Sequence, residues 1–366
     1  MKRMPDQLQA GITEDYAKWV APRRKEVNTP HAVPFVQHSG NERYPTHIVD
    51  YGDFQIAAIP FLRNKFNAAA WLNGTTHLLA REIIDPRTIT DYTPDVGRLV
   101  SLTMDKDKVI ISERVIWRPS DTLGYNLEDP RAVDLGASDG RVALGLTAVS
   151  AKPDYKGDLP SYPALAYVDR THPTKLEGLK VITEYGVGKN MMSLNVPGEE
   201  NDWWVFRPDG SDHELLVLYD NKSTLQAVGT LPLPKEMPGF RFKAGTSSTP
   251  VWDDEQKGIF PFHGMEKPGL YIYSQGVAGI ERKKTPQEQP FALINPVGPI
   301  LHPDHFNPLR GEDPMALELH PNIRRAIYIT GAVVLGDTFR SFDSIGDSVT
   351  VVVDRKLSDL REMVKT

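Results

Sequence analysis

Residues 125–149 read YNLEDPRAVDLGASDGRVALGLTAV, and this stretch decides the fold class. Two strand-like apolar runs flank Ser138-Asp139-Gly140, and Asp-Gly between such runs is among the strongest local signals for a β-hairpin. The first run includes Glu128-Asp129-Pro130-Arg131. Because proline fixes its own φ and pushes the preceding residue toward extended geometry, we expect Asp129 to sit on a stiff, extended turn. Arg131, two positions on, would then lie on the same side as that carboxylate.

A stiffly mounted Asp beside a cation is what a general acid or a sugar-binding carboxylate requires. Taken alone, the four residues are more simply an acidic surface turn.

The same alternation of short strands and turns continues in both directions. Further pairs are AAAWL/THLLA, RLVSLTM/KVIISERVIW, NDWWVFRP/ELLVLYD, TPVWDD/GIFPFHG and GLYIYSQ/GIERKK, and single runs are RRAIYITGAVVLG and SVTVVVD. Strands do not alternate with long helices, which argues against a doubly wound sheet. With 30 prolines and 28 glycines to make turns, the pattern predicts an all-β sandwich, barrel or propeller.

Composition narrows the function classes. The chain has 366 residues, 40% hydrophobic and 25% charged, as in an ordinary globular protein. A net charge of −6 argues against nucleic acid as a partner. The absence of cysteine excludes disulfides, a thiol nucleophile and a thiolate zinc site. We find no secretory signal and no apolar run long enough to cross a membrane, so we expect a cytoplasmic protein with no membrane partner.

Basic side chains recur at strand ends beside turns. They are Arg81, Arg87, Lys189, Arg207 and His263. Any one of them is more simply a solvated surface charge, but together with Asp129 they form a set suited to an oxyanion.

These motifs, in this order, resemble glycoside hydrolase family 130, the mannoside phosphorylases and their mannosidase relatives. The matching segments are Asn67 to Arg81, Glu128 to Arg131, Lys189-Asn190, Arg207-Pro208 and His263-Gly264. The resemblance covers roughly residues 54–339 and implies a five-bladed β-propeller with the active site in its central funnel. We therefore expect one propeller domain over 51–366, preceded over 1–50 by a short helix and an extended arm that pack on it.

The resemblance also implies a reaction. An inverting glycoside phosphorylase needs one carboxylic acid and a cationic cradle for inorganic phosphate, which replaces the water and base of a hydrolase. By resemblance Asp129 is the general acid, and phosphate is held by Arg87, Lys189 and Asn190. The sugar-contacting set is Asn67, Arg81, Glu128, Arg131, Arg207, Trp252, His263 and Asp337. The substrate would be an oligosaccharide carrying a β-mannoside, with phosphate as co-substrate and no metal or organic cofactor; a homo-oligomer remains open.

Two departures from the family pattern leave the reaction undecided between several types. Trp252 stands where we place a phosphate-binding lysine of the family, and Asp337 is a loose match to a late family Asp. An inverting mannosidase would need a second carboxylate opposite Asp129, with Glu82, Asp85 or Asp337 as candidates. A mannosyltransferase that uses another donor and a non-catalytic carbohydrate-binding propeller are also compatible with the sequence.

Overall fold

The computed structural model describes residues 47–50, 53–63, 65–85, 96–118, 121, 124–150, 160–199, 202–221, 224–265, 273–283, 289–301, 327–345 and 349–365. The strands of the first part are β1 (His47–Asp50), β2 (Phe54–Arg63), β3 (Lys65–Asn73), β4 (Thr75–Asp85), β5 (Val96–Met104), β6 (Ile110–Trp117), β7 (Tyr125–Asp134), β8 (Arg141–Ser150), β9 (Ser161–Asp169) and β10 (Glu177–Val181). Next come β11 (Gly188–Ser193), β12 (Asp202–Pro208), β13 (Glu214–Asp220), β14 (Leu225–Pro232), β15 (Lys243–Thr246), β16 (Val251–Trp252), β17 (Lys257–Met265), β18 (Tyr273–Arg282) and β19 (Phe291–Leu301). The last elements are β20 (Ile327–Leu335), β21 (Thr338–Ile345), β22 (Val349–Lys356) and the helix α1 (Leu357–Lys365).

The strands form five antiparallel sheets, which are the blades of a propeller. Blades one to three are β3–β6, β7–β10 and β11–β14, and blade four is β15–β17–β18–β19 with β16 also on β17. The innermost strands pack on one another around the ring: β20 on β3, β3 on β7, β7 on β11 and β11 on β15. Their side chains therefore surround the central axis.

Blade five closes the ring. Its strand order is β1-β2-β22-β21-β20, so strands from the beginning and the end of the described chain share one sheet. This arrangement joins the first and last parts of the propeller by backbone hydrogen bonds, which leaves no gap between first and last blades.

The core lies between blades rather than at one centre. Each main hydrophobic cluster draws on two neighbouring blades; Leu79 of blade one and Leu144 of blade two, for example, share a cluster. The cluster between blades four and five also receives Leu357, Leu360 and Val364 of α1. Because each blade buries both faces against its neighbours, its strands are largely apolar on both sides.

The all-β prediction is confirmed. The predicted hairpins around Asn73-Gly74 and Asp139-Gly140 form, but GLYIYSQ/GIERKK is wrong as a pair, because Tyr273–Arg282 is one strand. The helix α1 was not predicted, although Leu357, Leu360 and Val364 have the i, i+3, i+7 spacing of an amphipathic helix. The predicted N-terminal helix and most of the arm lie outside the described residues, and residues 47–50 belong to blade five instead of to an arm. No helix in the described segments is long and apolar enough to cross a bilayer.

Candidate active site

A β-bulge interrupts the innermost strand of three successive blades, and each places a polar residue at positive φ. The residues are Asn67 (φ 52°), Asp129 (φ 50°) and Asn190 (φ 61°), where the pairing register of β3, β7 and β11 shifts. A bulge leaves one residue unpaired and re-aims its side chain, which suits a binding site. The predicted extended turn at Asp129 is therefore wrong. The residue lies inside a strand in left-handed conformation, because tertiary pairing overrides the preference imposed by Pro130.

Asp129 is held by two neighbours. The side-chain amide of Asn67 donates to its Oδ1 at 2.6 Å. Arg131, which is 2% exposed, donates from Nη1 to the backbone carbonyl of Asp129 at 3.0 Å and to that of Pro130 at 3.2 Å. The pKa of Arg131 lies below its usual value because burial lowers it more than the charges of Asp129 and Tyr328 raise it. The guanidinium therefore fixes the backbone of the bulge and adds positive potential beside the carboxylate.

The predicted site residues Arg81 and Glu128 form an ion pair. Arg81 Nη2 lies 2.8 Å from Glu128 Oε1, and both side chains are largely buried. The pair joins β4 of blade one to β7 of blade two, one residue before Asp129. Arg81 is thus committed to a protein carboxylate and contributes orientation more than free positive charge.

On the other side of the acid lies a group of basic residues. Cross-strand pairing sets Lys189 opposite Arg207, and Lys189 is exposed. Arg207 donates from Nη1 to the carbonyl of Ala244 at 3.3 Å. The pKa of Arg207 lies below its usual value because burial lowers it more than the charges of Tyr273 and of acids that include Asp129 raise it. The structure therefore brings Arg207 within electrostatic range of the predicted acid.

His263 sits fully inside this basic group. Its Nδ1 lies 3.3 Å from the Ser247 hydroxyl. Burial is the main reason that its pKa lies well below 6.5, and the nearby cations Arg131, Arg207 and Lys243 lower it further. His263 is therefore neutral at pH 7 and acts as a hydrogen-bonding group.

Asn190 reaches the same place from blade three. A Cβ added at Gly245 would lie 2.8 Å from Asn190 Nδ2 and 3.1 Å from His263 Nε2. Only glycine allows the two side chains to approach the β15 backbone this closely.

Lys243 is a member of the site that sequence reasoning missed. Burial above all, together with the charges of Arg207 and Lys189, lowers its pKa to about 8, and the charges of Asp212 and Asp209 oppose this shift. It begins β15 and pairs with Met265, two residues after His263. The strand-end signal that identified Lys189 and Arg207 also applied to this lysine.

Two tyrosines were also missed. The rings of Tyr273 and Tyr328 lie 5.9 and 5.7 Å from that of His263 and 6.3 Å from each other. Both are partly exposed. An aromatic cluster beside a carboxylate and cations supplies an apolar surface on which the C–H face of a sugar ring can stack.

Two predicted site residues lie elsewhere. Trp252 ends β16 and packs in the core between blades three and four, where its Nε1 donates to the Leu194 carbonyl at 2.6 Å. Asp337 follows β20, at the opposite end of that strand from Tyr328, and its carboxylate accepts from the backbone N–H and hydroxyl of Ser358 at the start of α1. Both assignments as sugar contacts are wrong: Trp252 fills a blade interface and Asp337 caps a helix.

The remaining predictions concern one phosphate ligand, Arg87, and two candidate bases for hydrolysis, Asp85 and Glu82. Arg87 lies outside the described residues. The strand β4 ends at Asp85, whose side chain is also outside the description. Glu82 is engaged by Lys65 at 3.7 Å and by Arg98 at 2.5 Å.

No family model matches the chain, and no curated protein matches it. Solved structures do match its fold, a five-bladed β-propeller. A β-1,2-mannobiose phosphorylase from Listeria innocua, in complex with β-1,2-mannobiose, matches with a TM-score of 0.59 at 14% identity, over 88% of this chain and 95% of that one. A structure from the GH130 family of mannoside phosphorylases, described as containing glycoside hydrolases that target β-1,2-mannosidic linkages, matches with a TM-score of 0.53 at 12% identity, over 83% and 87%. A mannose phosphorylase from Leishmania mexicana, in complex with phosphate ion, matches with a TM-score of 0.51 at 11% identity, over 89% and 92%. The propeller fold implied by the motifs is thus confirmed.

Proposed function

We propose that the protein is an inverting glycoside phosphorylase acting on β-mannosides, with Asp129 as general acid. One observation carries the proposal: a bulge-mounted carboxylate, held by Asn67, lies within electrostatic range of Arg207 in a basic group that includes Lys243. A single acid beside clustered cations is the minimum that phosphorolysis requires. The propeller fold shared with mannoside phosphorylases supports the substrate class by analogy.

In the proposed reaction a phosphate oxygen attacks the anomeric carbon from the face opposite the leaving group. The bond between that carbon and the glycosidic oxygen breaks, and Asp129 gives its proton to the departing oxygen. The products are α-mannose 1-phosphate and the released acceptor sugar, and the reaction is reversible. Lys189, Asn190, Arg207 and Lys243 hold the phosphate, while Tyr273 and Tyr328 contact the mannosyl ring.

Hydrolysis would need a second carboxylate to activate water. Of the three candidates for that base, Glu82 is engaged by Lys65 and Arg98, Asp337 caps α1, and the side chain of Asp85 lies outside the described residues. Glu128, the acid next to Asp129, is paired with Arg81. Each predicted base whose side chain the structure describes is therefore engaged elsewhere, which favours phosphate over water as the nucleophile.

The test is cleavage of β-1,2-mannobiose with and without inorganic phosphate. We expect mannose 1-phosphate to form only with phosphate, and Asp129→Asn to lower kcat by about 10²- to 10⁴-fold, the usual share of general acid catalysis. Free mannose released at the same rate in phosphate-free buffer would establish the hydrolase instead. An Asp129→Asn enzyme within a few-fold of wild type would remove Asp129 from the catalytic role.

A further inference from the structure

Ser344, on β21 of blade five, contacts Asn67 twice. Its side chain is fully buried. Its Oγ accepts the backbone N–H of Asn67 at 2.6 Å and lies 3.2 Å from Asn67 Oδ1, to which it donates. Blade five thus reaches the residue of blade one that holds the acid of blade two.

The two contacts determine which way the Asn67 amide faces. A serine hydroxyl has a single proton, and here its oxygen already accepts a backbone N–H. The proton is therefore given to Asn67 Oδ1, which turns the Nδ2 end of the amide toward Asp129 Oδ1 at 2.6 Å. An amide turned the other way would set its oxygen against the Asp129 carboxylate and would lose the bond that the Ser344 hydroxyl donates.

We propose that Ser344 is a positioning residue for the general acid, an inference that rests on the function proposed above. By orienting Asn67, it makes Oδ1 of Asp129 a hydrogen-bond acceptor. The proton that is transferred is then confined to Oδ2. The carboxyl group is thereby presented to the leaving oxygen in one orientation instead of two.

Blade five also fixes the strand on which Asn67 lies. The Thr330 hydroxyl donates to the carbonyl of Ala68 at 3.1 Å. A Cβ added at Gly331 would lie only 2.4 Å from that same oxygen, so the two backbones are in direct contact. The bulge that carries Asn67 therefore cannot shift without moving β20. The Asn67 amide thus keeps the orientation that Ser344 gives it relative to Asp129.

The experiment compares two substrates in the presence of phosphate. The leaving group of β-1,2-mannobiose is a sugar hydroxyl, which is poor and needs a proton from the acid. The leaving group of 2,4-dinitrophenyl β-mannoside is a phenolate that departs without a proton. For Ser344→Ala we expect kcat on mannobiose to fall by about 10- to 100-fold and kcat on the aryl mannoside to change by less than about 3-fold. A merely structural defect would lower both rates together.

Two controls make the result specific. Ser341→Ala removes an equally buried hydroxyl from the same strand, one that bonds to Asp343 and Val353 and not to Asn67, and should leave both rates near wild type. Ser344→Thr and Ser344→Val have the same shape, and only threonine keeps the hydroxyl. Threonine should therefore retain mannobiose cleavage that valine loses, which also covers the case in which the alanine variant fails to fold.

Asp129→Asn in the same assay separates this inference from the function on which it rests. If Asp129→Asn cleaves mannobiose normally, the proposed function has failed. If Asp129→Asn loses mannobiose cleavage but Ser344→Ala and Ser344→Val do not, the proposed acid stands and the positioning role of Ser344 is overturned. Equal losses on both substrates in the Ser344 variants would overturn it as well.

Discussion

At the scale of single residues, the site depends on a lysine whose charge is not fixed. Burial and the neighbouring cations bring the pKa of Lys243 to about 8, whereas its usual value is 10.5. The side chain is therefore cationic at pH 7 and neutral at pH 9. A lysine is a compact point charge that loses its proton readily when buried, while an arginine keeps its charge throughout this range.

We expect kcat/KM for phosphate to fall by about 10-fold between pH 7 and pH 9, as a group with a pKa of about 8 loses its proton. Lys243→Arg should remove most of this decline. Phosphate itself ionises near pH 7, but this affects both enzymes equally, so their ratio at each pH isolates the lysine. Identical pH profiles for the two enzymes would show that Lys243 does not contact the phosphate.

At the scale of strands, close backbone contact between blades sets the positions of the bulges. A Cβ at Gly145 of β8 would lie 2.2 Å from the carbonyl oxygen of Met191, which follows Asn190 on β11. The backbone N–H of Asn190 itself donates a weak hydrogen bond at 3.4 Å to the Thr147 hydroxyl, which is also on β8. Blade two therefore positions the bulge of blade three.

For this reason Gly145→Ala should both destabilise the fold and weaken phosphate use. Forcing a methyl group against a backbone oxygen costs about 1–3 kcal/mol or more, because a carbonyl cannot rotate away as a side chain can. Gly136→Ala is the control: its φ of 87° makes alanine strained, but nothing lies within 4 Å. Both variants should lower Tm, and only Gly145→Ala should raise the KM for phosphate. An unchanged KM for phosphate in Gly145→Ala would show that the contact between blades two and three does not position the phosphate site.

Hairpins were predictable from the sequence and bulges were not. Asn-Gly and Asp-Gly turns are local signals, so the pairing of β3 with β4 and of β7 with β8 could be predicted from a few residues each. The positive φ at Asp129 arises from pairing with β8 and from contacts with blade one, which no local pattern encodes. The position of Trp252 could not be predicted for the same reason. Whether a tryptophan on a strand faces the active site or the core between blades depends on how that strand is placed in the propeller, which the local sequence does not encode.

At the scale of the whole molecule, a buried acid lies where blade four meets blade five. Asp343 is fully buried; the Gln275 amide donates to its Oδ1 at 2.7 Å and the Ser341 hydroxyl to its Oδ2 at 3.0 Å. Burial raises the pKa of Asp343 to about 6, although both hydrogen bonds and the charge of Arg355 oppose the shift. Blade five joins the first and last described strands. We therefore expect ionisation of this acid to make the free energy of unfolding depend on pH.

The sign of that sensitivity follows from the raised pKa. The folded state holds the proton more tightly than the unfolded chain, so the stabilisation is complete below pH 3.8 and is lost as the pH rises through about 6. Asp343→Asn cannot ionise and keeps a carbonyl to accept from Gln275. Relative to wild type, the variant should therefore gain on the order of 2 kcal/mol in unfolding free energy between pH 4.5 and pH 7.5.

Asp354 on β22 provides a control of opposite sign. Burial raises its pKa, but hydrogen bonds from Arg340 and Lys108 outweigh burial and leave the pKa below 3.8. Its stabilisation is therefore present above pH 3.8 and is lost in acid, so Asp354→Asn should destabilise the protein most at pH 7.5. Urea unfolding at pH 4.5, 6 and 7.5 measures both variants. If Asp343→Asn loses stability relative to wild type as the pH rises, Asp343 is held as a carboxylate by Arg355, and the ring closes on an ion pair instead of a protonated acid.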